Sequence, residues 1–207
     1  LTTAQVSKLT TTQVSNLTST QLNLMETTDL AALTTTQVVS LTAAQLDGLD
    51  ATHLAALSSV ASLTSTQLNA MASTNLQGLN TTQVASLTTT QVSNLTTTQL
   101  NLLETSDVAA LSTGAVASLT STQLNALTST NLQALTTGQN AALTTTQASN
   151  LTSTQLNLMQ TSDVAALSSA AAASLTSTQL NALTSTNLDA LTTAQVSKLT
   201  TTQVSNL

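Results

Sequence analysis

Apolar residues recur along this chain with a period of eight, at positions 1 and 6 of a unit that is otherwise mostly Thr, Ser, Gln and Asn. The stretch LTTTQVSN at 9–16 is typical. The octads run from Leu1, pass one six-residue unit at 57–62, and continue from Leu63 to Leu207. A short period repeated over a whole chain predicts a repeat architecture.

Each octad contains the residues that begin a helix. Thr10 is a good N-cap, and Gln13 can return a hydrogen bond to the backbone N–H of the cap, which completes a capping box. Leu9 and Val14 occupy the two apolar positions of a hydrophobic staple. Because Leu17 opens the next octad only three residues after Val14, each predicted helix lasts between one and two turns.

Replacements of the threonine at position 2 test this interpretation. Most of them keep an N-cap residue, namely Ser58, Asn80, Ser112, Ser168 and Asp50. The exceptions are Glu26, Ala72, Glu104 and Gln160. Three of these exceptions follow an extra apolar residue at position 8, which is Leu24, Leu102 or Leu158. At those places we predict that two units fuse into one longer helix, over 19–32, 97–110 and 153–166.

The alternative folds fit the pattern less well. On one unbroken α-helix, eight residues would rotate the apolar stripe by roughly 80° per octad, so no single face would stay buried. In an extended strand, positions 1 and 6 point to opposite faces. We therefore predict an all-α repeat solenoid of very short capped helices, with two or three octads per coil, and keep a β-solenoid as the alternative.

A longer repeat of 56 residues, or seven octads, overlies the short one. The sequence LTSTQLNA, for example, begins at Leu63, Leu119 and Leu175. Composition does not shift along the chain, so we predict one continuous octapeptide-repeat solenoid over 1–207, interrupted in period only by the unit at 57–62.

Composition limits the possible partners. The chain has no Cys, Pro or aromatic residue, and charged residues make up 5%. Its net charge is −6, and Lys8 and Lys198 are its only Lys or Arg residues, so phosphate backbones and anionic membranes are poor partners. No apolar run approaches the ~20 residues of a spanning helix. We expect neither nucleic-acid binding nor membrane insertion.

Few residues suggest chemistry. His53 stands where Gln is usual, which favours a surface capping group over a ligand or base. The pairs Glu26/Asp29 and Glu104/Asp107 favour helix-terminus electrostatics over a weak cation site, because no Gly-containing calcium loop is present. No motif places a base beside a Ser or Thr nucleophile. We predict no enzyme activity, catalytic residue, metal or cofactor.

Two further features of the sequence concern polar residues. Asn140 is a polar residue at position 6, and we expect it to lie beside a partner or a water. Threonine pairs separated by one residue, such as Thr64/Thr66, Thr120/Thr122 and Thr176/Thr178, are similar to the T-x-T rows of ice-binding β-solenoids. A module that binds ice or a surface polysaccharide through a Thr-rich face is therefore the alternative function.

The L-T-x-x-Q-[VL]-x-x octads, with variants such as METTDLAA at Met25 and LETSDVAA at Leu103, resemble the Thr- and Gln-rich octapeptide arrays of large bacterial surface or secreted adhesin-like proteins. This resemblance covers the whole chain and implies an extracellular or cell-surface structural role, with no catalytic residues to carry over.

Residues 1–17 and 191–207 are identical and lack the polar outer face of a terminal solenoid unit. We therefore expect either adjoining repeats of a longer chain or end-to-end stacking of subunits into a homopolymer. The function predicted from the sequence is a structural extracellular filament, fibre or adhesin stalk.

Overall fold

The structure is a computed structural model that describes residues 1–205 and 207. Over that part of the chain it contains 25 α-helices of four to six residues, one 3₁₀ turn at Val60–Ser62, and no strand. The predicted all-α fold with one short helix per octad is confirmed. The β-solenoid alternative is not supported.

The chain divides into two compact units, Leu1–Leu111 and Ser112–Leu207. The helices of the first unit are α1 Thr3–Val6, α2 Thr11–Ser15, α3 Ser19–Asn23, α4 Thr27–Ala31, α5 Thr35–Val39, α6 Ala43–Asp47, α7 Ala51–Ala56, α8 Ser65–Ala70, α9 Ser73–Gln77, α10 Thr81–Ala85, α11 Thr89–Asn94, α12 Thr97–Leu102 and α13 Thr105–Ala110. Those of the second are α14 Thr113–Ala117, α15 Ser121–Asn125, α16 Ser129–Gln133, α17 Thr137–Ala141, α18 Thr145–Asn150, α19 Ser153–Leu158, α20 Thr161–Ala166, α21 Ser169–Ala173, α22 Ser177–Asn181, α23 Ser185–Asp189, α24 Thr193–Val196 and α25 Thr201–Ser205.

The helix starts follow the predicted capping chemistry. At α2 the hydroxyl of Thr10 accepts from Gln13 N at 3.2 Å, and Gln13 Oε1 accepts from Thr10 N at 2.8 Å. The cap residue itself is extended, with φ −72° and ψ 157°. Because the cap turns the backbone out of the helical region, each octad changes direction before its helix begins.

The predicted fusion of helices at 19–32, 97–110 and 153–166 is wrong, since two helices remain separate in each range. Between α12 and α13, Leu103 (φ −62°, ψ 137°) and Glu104 (φ −69°, ψ 160°) are extended. This turn leaves Leu103 only 3% exposed, whereas a continuous helix would rotate it off the buried face. The extra apolar residues are less buried than Leu103, since Leu24 is 81% exposed and Leu102 and Leu158 are half-buried.

The core of each unit consists of the residues at octad positions 1 and 6. In the first unit Leu46 is fully buried and Leu49 is 3% exposed, and in the second Leu124 is fully buried and Leu127 is 7% exposed. Aliphatic side chains at these two positions pack between successive coils, so the apolar pattern predicted the core correctly.

Hydrogen bonds between coils define the coil size. Gln45 Nε2 donates to the carbonyls of Leu17 and Val14, which precede it by 28 and 31 residues. Asn23 Nδ2 donates in the other direction, to the carbonyl of Gly48, 25 residues later. A coil therefore contains about three and a half octads, and the expectation of two or three is wrong. Seven octads make two whole coils, which explains the 56-residue repeat.

Candidate functional site

The glutamine at position 5 has a second role beyond capping. In the second unit Gln147 Oε1 accepts from Thr144 N at 2.9 Å, as the capping box requires. Its Nε2 donates to the carbonyls of Val116 at 2.9 Å and Leu119 at 2.8 Å on the coil below. The same bridge to the preceding coil is made by Gln37, Gln45, Gln83, Gln91, Gln179 and Gln195.

The bridging role of this glutamine is not among the predictions from the sequence, although the sequence contains a signal for it. A capping box accepts Glu as readily as Gln at its third helical position, because only the side-chain oxygen is used. In this chain Gln is the most frequent residue at that position, and Glu never occurs there. The amide N–H₂ of Gln147 supplies a donor to the Leu119 carbonyl, which lies between two helices, and a second donor to the Val116 carbonyl, which already accepts from Leu119 N.

A second set of amides points towards the following coil. Asn125 Nδ2 donates to the carbonyl of Asn150 at 2.7 Å, and its Oδ1 accepts from Thr152 N at 3.1 Å. Asn157 repeats this arrangement with Ala182 and Thr184. Asn at position 7 therefore holds the N-terminus of a helix in the next coil.

His53 lies between two coils of the first unit and is not the surface group that was predicted. Its side chain is 13% exposed, and its Nε2 lies 3.0 Å from the carbonyl oxygen of Met25. Its Nδ1 lies 2.8 Å from Asp50 Oδ1. The hydrogen bond with the Asp50 carboxylate is the main cause of a raised His53 pKa; burial opposes the shift, and the Met25 carbonyl and the charges of Asp50 and Glu26 support it.

The predicted carboxylate pairs separate into an exposed and a buried member. Glu26 and Glu104 are N-cap residues without a side-chain capping bond, while Asp29 and Asp107 are 5% and 3% exposed. Burial raises the pKa of Asp107; a hydrogen bond from the backbone of Glu104 opposes that shift, and the Glu104 charge adds to it. Each Asp occupies the position of the bridging Gln, but an ionised carboxylate has no N–H to donate to the coil below.

Asp163 has a compensating neighbour in the second unit. Burial raises its pKa, while hydrogen bonds from the backbone of Gln160 and the side chain of Asn140 lower it. Asn140 is 1% exposed, and its Nδ2 also donates to the carbonyls of Leu135 at 3.3 Å and Thr136 at 3.1 Å. Leu135 lies 28 residues before Asp163, so its carbonyl is one that a bridging Gln at position 163 would reach. Asn140 supplies this carbonyl with the donor that Asp163 lacks.

The six-residue unit at 57–62 borders a cleft of about 490 Å³ in the first unit. Its walls are Ala55, Ala56, Leu57 and Ser58 on one side and Asn80, Thr82, Gln83 and Ser86 on the other. The amide of Gln83 already donates to the carbonyls of Leu54 and Leu57. The lining is neutral and offers no acid, base or nucleophile pair.

The threonine pairs lie at helix starts. Thr64 is the N-cap of α8, and its hydroxyl accepts from Gln67 N at 3.1 Å, while Thr66 lies within the helix. Thr120 and Thr176 cap α15 and α22 in the same way. One hydroxyl of each pair is therefore used by the backbone, and the two do not form the rung of an extended strand.

Two kinds of feature are absent from the described part of the chain. No group of three or more His, Cys, Asp or Glu residues is placed to hold a metal ion there. None of the helices in residues 1–205 and 207 has the length and apolar character needed to cross a bilayer.

Short capped helices, a two-position aliphatic core and amide bridges between coils define a helical solenoid-like repeat protein. The ALTTAQ repeat family model matches residues 23–59, 60–97, 100–137 and 156–193, which is more than half of the chain. The chain therefore belongs to the ALTTAQ repeat family, and the predicted Thr- and Gln-rich repeat region is confirmed. The comparison with curated proteins gives no match.

Proposed function

We propose that this chain is a non-catalytic structural element of an extracellular or cell-surface filament, fibre or adhesin stalk, which extends by stacking coil on coil. One observation carries the proposal. Val6 and Val196 occupy the same place in the identical stretches 1–17 and 191–207, yet Val6 is fully buried and Val196 is 46% exposed. Val14 is likewise fully buried, and its counterpart Val204 is 50% exposed.

The sequence of these stretches is the same, so the difference in burial comes from the coil that lies over the valines. A coil of the same octads fits over Val196 and Val204 as one fits over Val6 and Val14. The incoming octads would also bring glutamine amides, which can bridge to the carbonyls of the coil beneath, as Gln147 does. We propose that the covering coil belongs to another copy of this chain or to adjoining repeats.

The surface supports an inert structural role. Most exposed residues are Thr, Ser, Asn and Gln, and the N-cap hydroxyls accept hydrogen bonds from their own helices. The chain has few charges to attract nucleic acid or membranes and no thiol to react. An extracellular location agrees with the resemblance to secreted repeat arrays, and protease accessibility on intact cells tests it.

Electron microscopy and sedimentation of the full chain test the stacking. We expect unbranched, concentration-dependent filaments, and we expect Val204→Lys to abolish them by placing a charge on the stacking face. Ser205→Lys is the matched control, because this neighbouring side chain is also exposed but lies outside the apolar positions. A chain that stays dispersed, or that associates equally well with Val204→Lys, would refute self-stacking. Thermal hysteresis of a dispersed chain would support the ice-binding alternative.

A further inference from the structure

The His53 ring takes the place of a bridging glutamine, but with different hydrogen-bonding needs. In the neighbouring octad, Gln45 Oε1 accepts from Thr42 N, and Nε2 donates to the carbonyl of Leu17, 28 residues earlier. At His53 the carbonyl 28 residues earlier is that of Met25, and it lies 3.0 Å from Nε2. This part of the bridge is retained.

The other side of the ring faces an acceptor instead of a donor. The Asp50 N–H, which a glutamine would cap, donates to Asn23 Oδ1 at 3.1 Å. His53 Nδ1 lies 2.8 Å from the Asp50 carboxylate. Both ring nitrogens therefore face oxygens that only accept, and a neutral imidazole carries a single N–H. Only the imidazolium donates to both.

We propose that His53 is a proton-dependent latch between two coils of the first unit: the imidazolium joins Asp50 at the start of α7 to the Met25 carbonyl below, and deprotonation breaks one of these two bonds. The latch is independent of the proposed structural function. The latch involves only this pair of coils, in a chain that otherwise carries few charged residues.

The groups around the ring favour the charged form. Helix α7 packs on α4, whose titratable groups are Asp29 and the N-cap Glu26, and the negative charge of Glu26 stabilises the imidazolium. On the other side, Gln83 of α10 bonds the carbonyls of Leu54 and Leu57, and α10 carries no titratable residue. Asp47, in the preceding octad, faces the N–H of Ala72.

The direction of the pH dependence follows from the raised folded-state pKa of His53. The contribution of the latch is fully present below the ordinary histidine pKa and is lost as pH rises through the folded-state pKa. As the latch is lost, the backbone amides of α7 should become less protected against hydrogen exchange. The loss of protection should reach roughly tenfold for each pH unit by which the folded-state pKa of His53 exceeds the ordinary histidine pKa.

Nuclear magnetic resonance on the full chain tests the latch directly, because His53 is the only histidine. Long-range ¹H–¹⁵N spectra from about pH 5 to about pH 9 report the pKa and the protonation of each ring nitrogen. We expect a pKa above the ordinary value and both nitrogens protonated below it. Exchange of the Leu54 and Leu57 amides, corrected for intrinsic rates, should speed up over the same transition.

Two variants separate the latch from general packing. His53→Gln restores the usual bridging residue and should remove the pH-dependent step while keeping α7 protected. Asp50→Thr replaces the capping carboxylate with the hydroxyl that is usual at this position, so the N-cap is kept, the negative charge is removed and the His53 pKa should fall. A His53 pKa at or below the ordinary value, or a pH step that persists in His53→Gln, would overturn the proposal.

Discussion

Asn125 Oδ1 accepts from Thr152 N across 27 residues, and this contact takes the N–H that a capping box would use. The capping partner of Thr152 is Gln155, whose Nε2 still donates to the Asn125 carbonyl at 2.6 Å. Its Oε1 is buried and has no partner among the described residues. Two acceptors thus compete for one backbone donor, and here the asparagine of the coil below obtains it.

The competition has the opposite outcome 56 residues earlier. There Gln99 Oε1 accepts from Thr96 N at 3.1 Å. Asn69 Oδ1 is then the buried oxygen that finds no partner in the described part of the chain. The two side-chain oxygens are therefore alternative acceptors for one cap N–H, while the N–H₂ groups of both side chains keep their bonds between coils.

Removing the asparagine should therefore cost less where a glutamine can replace it. In Asn125→Ala, the Thr152 N–H becomes available to Gln155 Oε1, which relieves a buried unpaired oxygen. In Asn157→Ala, the Thr184 N–H has no such replacement, because the third helical position is Asn187, whose shorter side chain completes no capping box with Thr184. We expect Asn157→Ala to lower the free energy of unfolding by about 1 kcal/mol more than Asn125→Ala in urea denaturation. Equal losses would contradict the competition.

The donor role of the position-5 amide can be tested with a nearly isosteric change. Gln147→Glu keeps the oxygen that caps Thr144 but removes both hydrogen bonds to the coil below and buries a charge. We expect the free energy of unfolding to fall by about 2–4 kcal/mol at neutral pH. Gln13→Glu is the control, because this side chain is exposed and serves its own cap. It should change stability by less than about 0.5 kcal/mol. Similar effects of the two changes would argue against the bridge.

The parts of this fold that sequence predicts are the local ones. Thr10 and Gln13 lie three residues apart, so their capping box is visible in the sequence, and so is the burial of Val14. Which octads meet in space is not visible, because the apolar pattern is the same at every octad. The coil size is therefore defined only by contacts between coils, such as the hydrogen bond from Gln45 to the Leu17 carbonyl. The sequence does not show the position of His53 between two coils for the same reason, since Met25 is 28 residues away.

Two glycines should respond oppositely to alanine. A Cβ at Gly48 would overlap the Cβ and hydroxyl of Ser19 on the coil below, whereas a Cβ at Gly138 would lie 3.9 Å from its nearest neighbour, Thr136 Oγ1. We expect Gly138→Ala to raise the free energy of unfolding by about 0.5–1 kcal/mol through helix propensity. Gly48→Ala should lower it by about 1–3 kcal/mol through overpacking. Thermal unfolding of both variants measures this, and stabilisation by Gly48→Ala would exclude close packing there.

Asp107 should make the first unit less stable as pH rises. Its pKa is raised by burial, so the folded state binds a proton more tightly than the unfolded chain. The destabilisation is absent below the ordinary aspartate pKa and is complete above the folded-state pKa. Asp107→Asn removes this dependence and adds a donor, as Asn75 does towards the carbonyls of Leu46 and Leu49. We expect a gain of about 1 kcal/mol near neutral pH and none in acid. A gain of the same size at both pH values would contradict the role of ionisation.

Asn140 and Asp163 should be energetically coupled. With Asp163 present, Asn140→Val removes the hydrogen bond to the carboxylate and the hydrogen bond to the Leu135 carbonyl. These two losses oppose the stabilisation gained by placing an aliphatic residue in the core. In Asp163→Gln, the new amide can serve that carbonyl, as Gln147 serves Leu119. Asn140→Val should then be stabilising, since it also removes a buried Oδ1 that has no partner in the described residues. A double-mutant cycle by urea denaturation should give a coupling of about 1 kcal/mol or more. Additive effects would mean that Asn140 does not compensate for the carboxylate.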